Sequence, residues 1–257
     1  MFNLEAFDIK LNTEFIGRNF IYGEEIDSTN SFLMNKGNKA NTNGTVVLAE
    51  KQIKGKGRKD RVWYSAKGQN LTFSLLITDT NYFGEKINIL NFVSSLSVAQ
   101  AIENLYQLKT NLKWPNDILI NGKKIAGILL ESSSQGNKVE RVVIGIGINV
   151  NQVLFQGSFN WEPTSLKVEL DQNIERERLL AETLNILEEN LLQLPLHSND
   201  ILKDWKMRCG MIGEKISITE GETVKYGIFD DMDENGFLLL KNKGKIEKIH
   251  FGDVSVR

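Results

Sequence analysis

Two rhythms divide the chain. Up to about residue 210, apolar runs alternate with long helical patterns; beyond it only short strands and turns remain. Residues 45–49 and Leu71–Ile77 are rich in β-branched and aromatic side chains and read as strands. Leu90, Val93, Leu96, Ala101, Ile102, Leu105 and Leu108 recur at helical spacing and predict a helix. Pro115 disfavours helix just before it, and residues 118–120, the turn Asn121-Gly122 and residues 125–130 then predict a hairpin. Residues 142–150 look like a buried strand whose glycines, Gly145 and Gly147, mark a close approach of something to the backbone. Leu180, Leu184, Leu187, Leu191 and Leu194 step by four and three along a second helix. Two heptads are too few for a coiled coil, so this helix is expected to face a core. Past Gly210, segments 215–219, 224–229, 237–240, 246–251 and 254–256 are separated by Glu220-Gly221, Asn235-Gly236 and Asn242-Lys243-Gly244. Short strands so spaced suggest a small barrel, with a boundary near residues 208–213.

Composition narrows the class. At about 150 residues per domain, 257 residues make one or two domains. A net charge of −2 argues against a generally basic nucleic-acid binder. No apolar run approaches the roughly 18 residues that span a bilayer, and the start of the chain lacks a signal pattern, so a cytoplasmic protein is expected. The single cysteine, Cys209, and two distant histidines, His197 and His250, exclude a Cys/His zinc site and a thiol redox pair. No Gly-x-Ser-x-Gly elbow and no Gly-x-x-x-x-Gly-Lys-Ser/Thr loop occur. Asp231-x-Asp233-x-Asn235-Gly236 copies half of an EF-hand loop, but Asn242 stands where the last ligand, Glu, is required, and a hairpin turn is the better reading.

The chemistry that remains is electrostatic. Residues 51–61 hold six basic side chains and one acidic one, with Gly55 and Gly57 letting the backbone bend. That is either a solvated basic loop or an anion cradle; only Trp63 and Tyr64 offer stacking for a nucleic acid. Lys113-Trp114-Pro115-Asn116-Asp117 is either a rigid pocket wall or a turn with an Asx motif. Lys124 precedes an apolar run and needs an anionic partner if it enters the core, whereas Lys123 is expected in solvent. Ser28 and Thr29 either cap the helical segment 31–36 or face a ligand with amide-like groups.

In this order the segments resemble the biotin protein ligases, over about residues 22–256. The resemblance rests on Lys113-Trp114-Pro115-Asn116-Asp117 with Gly122-x-Lys124-x-Ala126-Gly127, on Gly55-Lys56-Gly57-Arg58-x-x-Arg61-x-Trp63, on Asp27-Ser28-Thr29-Asn30 and on Gly145-Ile146-Gly147-Ile148-Asn149. Lys56 replaces the family's usual arginine and Asp60 its usual glycine. The resemblance implies an α+β fold: a mixed sheet packed with helices, class II synthetase-like, in a biotin- and ATP-binding catalytic domain at 1–209. A C-terminal SH3-like β-barrel at 210–257 would follow. It implies a ligase that activates biotin with Mg-ATP to biotinyl-5′-AMP and transfers biotin to a lysine of a biotin carboxyl carrier protein. Lys124 and Arg58 would be catalytic. Ser28, Thr29, Asn30, Gln52, Gly55, Lys56, Gly57 and Gly127 would join them around biotin, and Arg61, Trp63, Asn116 and Asn149 around the nucleotide. No protein-held metal is expected, nor a membrane or nucleic-acid partner, since too few residues precede Asp27 for the DNA-binding domain of some relatives. A lipoate ligase and a non-enzymatic biotin sensor are the alternatives. Residues 54–67 are expected to be mobile without ligand.

Overall fold

The computed structural model describes every residue except 39, 40, 85, 86, 137, 158 and 257. Its elements are α1 (Leu4–Asp8), β1 (Phe20–Ile26), α2 (Thr29–Met34), β2 (Val46–Gln52), β3 (Leu71–Ile77), α3 (Ile89–Tyr106), β4 (Asn111–Lys113), β5 (Asp117–Ile120), β6 (Lys123–Gln135), β7 (Lys138–Ile148), α4 (Leu166–Leu170) and α5 (Arg176–Arg208). Five strands follow: β8 (Lys215–Glu220), β9 (Thr223–Met232), β10 (Leu238–Asn242), β11 (Lys245–Ile249) and β12 (Asp253–Val256). The larger sheet runs β1-β2-β3-β7-β6-β5-β4 and is mixed, because β1 lies parallel to β2 while its other pairs are antiparallel. The second sheet, β11-β10-β9-β8-β12, is wholly antiparallel. The expected α+β architecture, a mixed sheet with helices followed by a C-terminal β unit, is what forms.

Strand periodicity explains why one face of the large sheet is free for chemistry. Side chains alternate between faces along a strand. Leu71, Phe73, Leu75 and Ile77 of β3, with Val142, Ile144, Ile146 and Ile148 of β7, enter the main core. So do the buried leucines of α3 and α5, including Leu180, Leu184, Leu187, Leu191 and Leu194. The alternate positions Thr72, Ser74, Gly145 and Gly147 point the other way and line a cavity or meet its polar wall. Next to that wall, α2 covers a smaller apolar cluster of Leu33, Val47, Leu76 and Val143.

Several local expectations hold. Asn121 (φ 50°) and Gly122 (φ 77°) make the predicted β5–β6 hairpin turn. Asp233 Oδ1 accepts from the amides of Asn235 and Phe237, both at 2.9 Å, so the EF-hand-like segment is indeed a hairpin turn. The second helix runs well past Leu194, through Pro195, with a break in helical geometry at His197. Among the described residues, no helix is long and apolar enough to cross a membrane.

Candidate active site

The free face of the large sheet, the 51–64 segment, residues 155–157, 159–161 and 163 and the edge of the C-terminal sheet enclose a cavity of about 810 Å³. Pockets for small molecules span roughly 300–1,000 Å³. Every residue expected at the site lines it except Gly55. Gly55 lies beneath the Trp63 backbone, whose amide donates to the Gly55 carbonyl at 3.1 Å, and a side chain there would strike the Trp63 carbonyl. Gly55 thus lets the loop fold back on itself, and it supports the cavity wall from behind.

One end of the cavity is a hydroxyl and amide lattice. Ser28 caps α2 by accepting from the Ser31 amide, which satisfies the capping reading; yet it also faces the cavity. Gln52 Oε1 accepts from the Thr29 amide (2.7 Å) and hydroxyl (3.0 Å). Ser74 Oγ sits 2.7 Å from Thr29 Oγ1 and 2.6 Å from Asn30 Oδ1, while Asn30 Nδ2 donates to Glu131 at 2.8 Å. Gly145 and Gly147 are glycine for steric reasons, because a methyl group at 145 would strike the Asn30 amide and one at 147 the Trp63 indole. Lys56 pairs with Glu131 at 3.3 Å.

The other end gathers charge. Asp117 on β5 lies between two lysines, Lys124 Nζ at 2.6 Å from one oxygen and Lys113 Nζ at 3.4 Å from the other. Burial alone would raise the Asp117 pKa, but Lys124 and Lys113 outweigh it and hold the carboxyl below its ordinary range. Burial pulls Lys113 down, against the opposing pull of Asp117. Lys124 has the anionic partner that its position demanded, and its ammonium stands 5.5 Å from the Trp63 ring centroid. Lys113 stands 5.0 Å from that of Trp161. Arg58 reaches over this cluster and donates to Asn116 Oδ1 at 3.1 Å and to the Gly252 carbonyl at 3.2 Å. Asn116 Nδ2 is fixed in turn by the Ile128 carbonyl at 2.6 Å. Asn149 is buried beside Lys124, and the indole N–H of Trp63 is buried with no acceptor among the described residues.

Three participants escaped sequence reasoning. Asp253 of β12 meets Arg61, Lys59 (3.3 Å) and Arg58 (3.9 Å), so the C-terminal sheet grips the basic loop. Only a three-dimensional contact across some 194 positions reveals it. Glu131 and Trp161 gave no local signal either. Lys113 and Asp117 belonged to a motif singled out for its tryptophan, amide and carboxylate; the pairing of the two was not read, and their i,i+4 spacing was the available clue. Among the described residues no group of three His, Cys, Asp or Glu side chains could hold a metal ion.

Known proteins are similar to this chain in sequence and fold. Residues 22–149 match the Biotin/lipoate A/B protein ligase family, and residues 211–257 match the Biotin protein ligase C terminal domain. The Bifunctional ligase/repressor BirA of Bacillus spizizenii is 34% identical over 249 residues, covering 96% of this chain and 76% of that protein. A Biotin--[acetyl-CoA-carboxylase] ligase of Paracoccus denitrificans is 31% identical over 201 residues, 76% of this chain and 83% of that one. The biotin protein ligase of Aquifex aeolicus, solved in complex with biotin and ATP, superposes with a TM-score of 0.78 at 30% identity, covering 93% of this chain and 99% of that chain. The chain therefore belongs to the biotin/lipoate protein ligase family, with the C-terminal domain of its biotin protein ligases.

Proposed function

We propose that the protein is a biotin protein ligase: it joins biotin to AMP and passes the biotinyl group to a lysine of a biotin carboxyl carrier protein. The observation that carries this reading is the meeting, in one cavity, of a lattice of hydroxyl and amide groups with a cluster of fixed cations. The lattice suits a ureido ring, which has both donors and an acceptor; the cations suit a carboxylate and phosphates. The relatives named as biotin ligases, and the Aquifex aeolicus complex with biotin and ATP, support the same assignment. The basic glycine loop and the Trp114-Pro115-Asn116-Asp117 segment favour biotin over lipoate. Residues 1–209 serve as the catalytic part and 210–257 as the C-terminal part in this reading.

The chemistry follows from charge. Biotin carboxylate and ATP repel each other, so the first step needs cations placed before the reactants arrive. Lys124 is the residue to bridge the biotin carboxylate and the α-phosphate; as it turns to them, Lys113 remains to neutralise Asp117. The carboxylate oxygen attacks the α-phosphorus, and pyrophosphate leaves. Arg58, held by Asn116, then retains the adenylate. Ser28, Thr29, Asn30, Gln52, Lys56, Gly57 and Gly127 serve the biotin end, and Arg61, Trp63 and Asn149 the nucleotide end. Magnesium would enter with ATP and would be held by phosphates and water. The donor set agrees, since Asp117 and Asp253 are both engaged by cations. Pyrophosphate exchange that depends on biotin, followed by the mass increase of an added carrier domain, tests the reading; exchange driven by lipoate alone would overturn it.

A further inference from the structure

A second cavity, of about 170 Å³, lies behind the Arg58–Asn116 hydrogen bond. It shares Arg58, Asn116, Ile128 and Leu129 with the large cavity, so these residues form a partition reached from two sides. Its other walls include Phe92, Trp114, Leu130, Phe237 and Phe251, with Asn91 and His250 among them, brought together where the β4–β5 turn meets the β9–β10 turn. The junction is tied by the Trp114 indole, which donates to the Gly236 carbonyl at 3.0 Å. Phe251 and Asn88 at the rim are exposed. The volume falls well below the roughly 300 Å³ at which small-molecule sites begin, so it suits one side chain and no free ligand of the size of biotin or a nucleotide.

We propose that this cavity is the access route of the acceptor lysine. The inference rests on the ligase reading above and deepens it. Once biotinyl-adenylate fills the large cavity, a nucleophile needs another way to the acyl carbon beside Arg58 and Lys124. The small cavity ends at that partition. Aromatic and aliphatic walls receive the four methylenes of a lysine, while Arg58 at the inner end disfavours a second cation and so favours the neutral amine. The ammonium gives one proton to solvent at the mouth. The amine nitrogen then attacks the acyl carbon, the carbon–oxygen bond to phosphate breaks, AMP leaves, and the nitrogen's remaining surplus proton passes to the departing phosphate. Because the side chain must extend to reach the partition, the partner presents its lysine on a protruding turn.

Two rim variants test the route. Asn88 makes no capping bond with its side chain, so Asn88→Trp obstructs the mouth at little structural cost; Phe251→Ala removes one wall. In both, biotin-dependent pyrophosphate exchange and trapping of the adenylate by hydroxylamine are expected within twofold of the parent. Biotinylation of the apo carrier domain of a bacterial acetyl-CoA carboxylase is expected to fall at least tenfold in Asn88→Trp and severalfold in Phe251→Ala. Unchanged carrier labelling in both variants overturns the proposal, as does an equal loss of exchange and transfer. Absence of biotin-dependent exchange in the parent protein would instead strike the ligase reading itself.

Discussion

Asp117 can stay ionised in a buried position only because two lysines share it, and that fixes what each lysine contributes. Removal of Lys124 takes away the cation nearest the expected reacting oxygens. In Lys124→Gln, single-turnover adenylate formation is expected to fall about 10²–10³-fold, the scale on which one preorganised donor counts, with the far-UV spectrum unchanged. Lys113 is expected to set an alkaline limit. Its pKa lies below the ordinary lysine range, so rising pH discharges it before a free lysine would and leaves Asp117 to Lys124 alone. The adenylation rate is expected to decline below pH 10.4, the usual lysine value, and that early decline to vanish in Lys113→Met. A pH–rate profile identical in the two proteins would remove Lys113 from the mechanism. The loop's unusual Asp60 also has a local reason. Lys59 and Asp60 have φ of 54° and 58°, the left-handed geometry that glycine adopts most readily. Aspartate is among the few other residues that visit it readily.

At the scale of elements, β2 and α5 are fastened by a buried pair. Arg176, at the start of α5, reaches Glu50 of β2 at 2.6 Å, and Glu50 also accepts from the Phe2 amide and the Tyr22 hydroxyl, each at 2.9 Å. Burial opposes the Glu50 charge, but Arg176 and these donors bring its pKa down to about 2. A carboxyl depressed on folding stabilises the fold fully above its unfolded value of 4.5, and that contribution is lost as pH falls from there toward 2. Arg176→Met leaves Glu50 uncompensated and is expected to cost about 3–5 kcal/mol at neutral pH in urea unfolding. The variant should show a smaller acid-induced loss than the parent over that window. This pair also marks where sequence reading stopped. The segments Leu71–Ile77, 118–130 and 180–194 declared themselves because apolar side chains recur there with the period of their element. The half-buried edge strand β1 carries Gly23, Glu24 and Glu25 in its middle and shows no period, and α1 is too short to show one. The site was legible as motifs, because glycines, lysines and a tryptophan cluster in short segments. Their pairing was not, since Glu131 with Lys56 and Asp253 with Arg61 depend on how distant strands are laid side by side.

For the molecule as a whole, the basic loop is the joint between the two sheets. Its cations repel one another, and one carboxylate of the C-terminal sheet draws three of them together: Asp253 against Arg58, Lys59 and Arg61. Burial works against that charge, yet Arg61, Lys59 and Arg58 keep the Asp253 pKa below its usual value, so the grip persists at neutral pH. If these cations serve the nucleotide as proposed, an arriving triphosphate would offer them a stronger anion, and the C-terminal sheet and the nucleotide are then expected to compete for the loop. Two consequences can be measured together. Amides of residues 54–67 are expected to exchange faster than those of β3 without ligand, and faster still in Asp253→Asn, which keeps the side chain's shape and removes its charge. With ATP and biotin bound, the phosphates hold the loop in both proteins, and the difference in exchange should shrink. If Asp253→Asn leaves the unliganded loop's exchange unaltered, the contact is incidental to loop order. If the difference persists undiminished with ligand, then Asp253 and the phosphates act on different parts of the loop, and the competition does not exist.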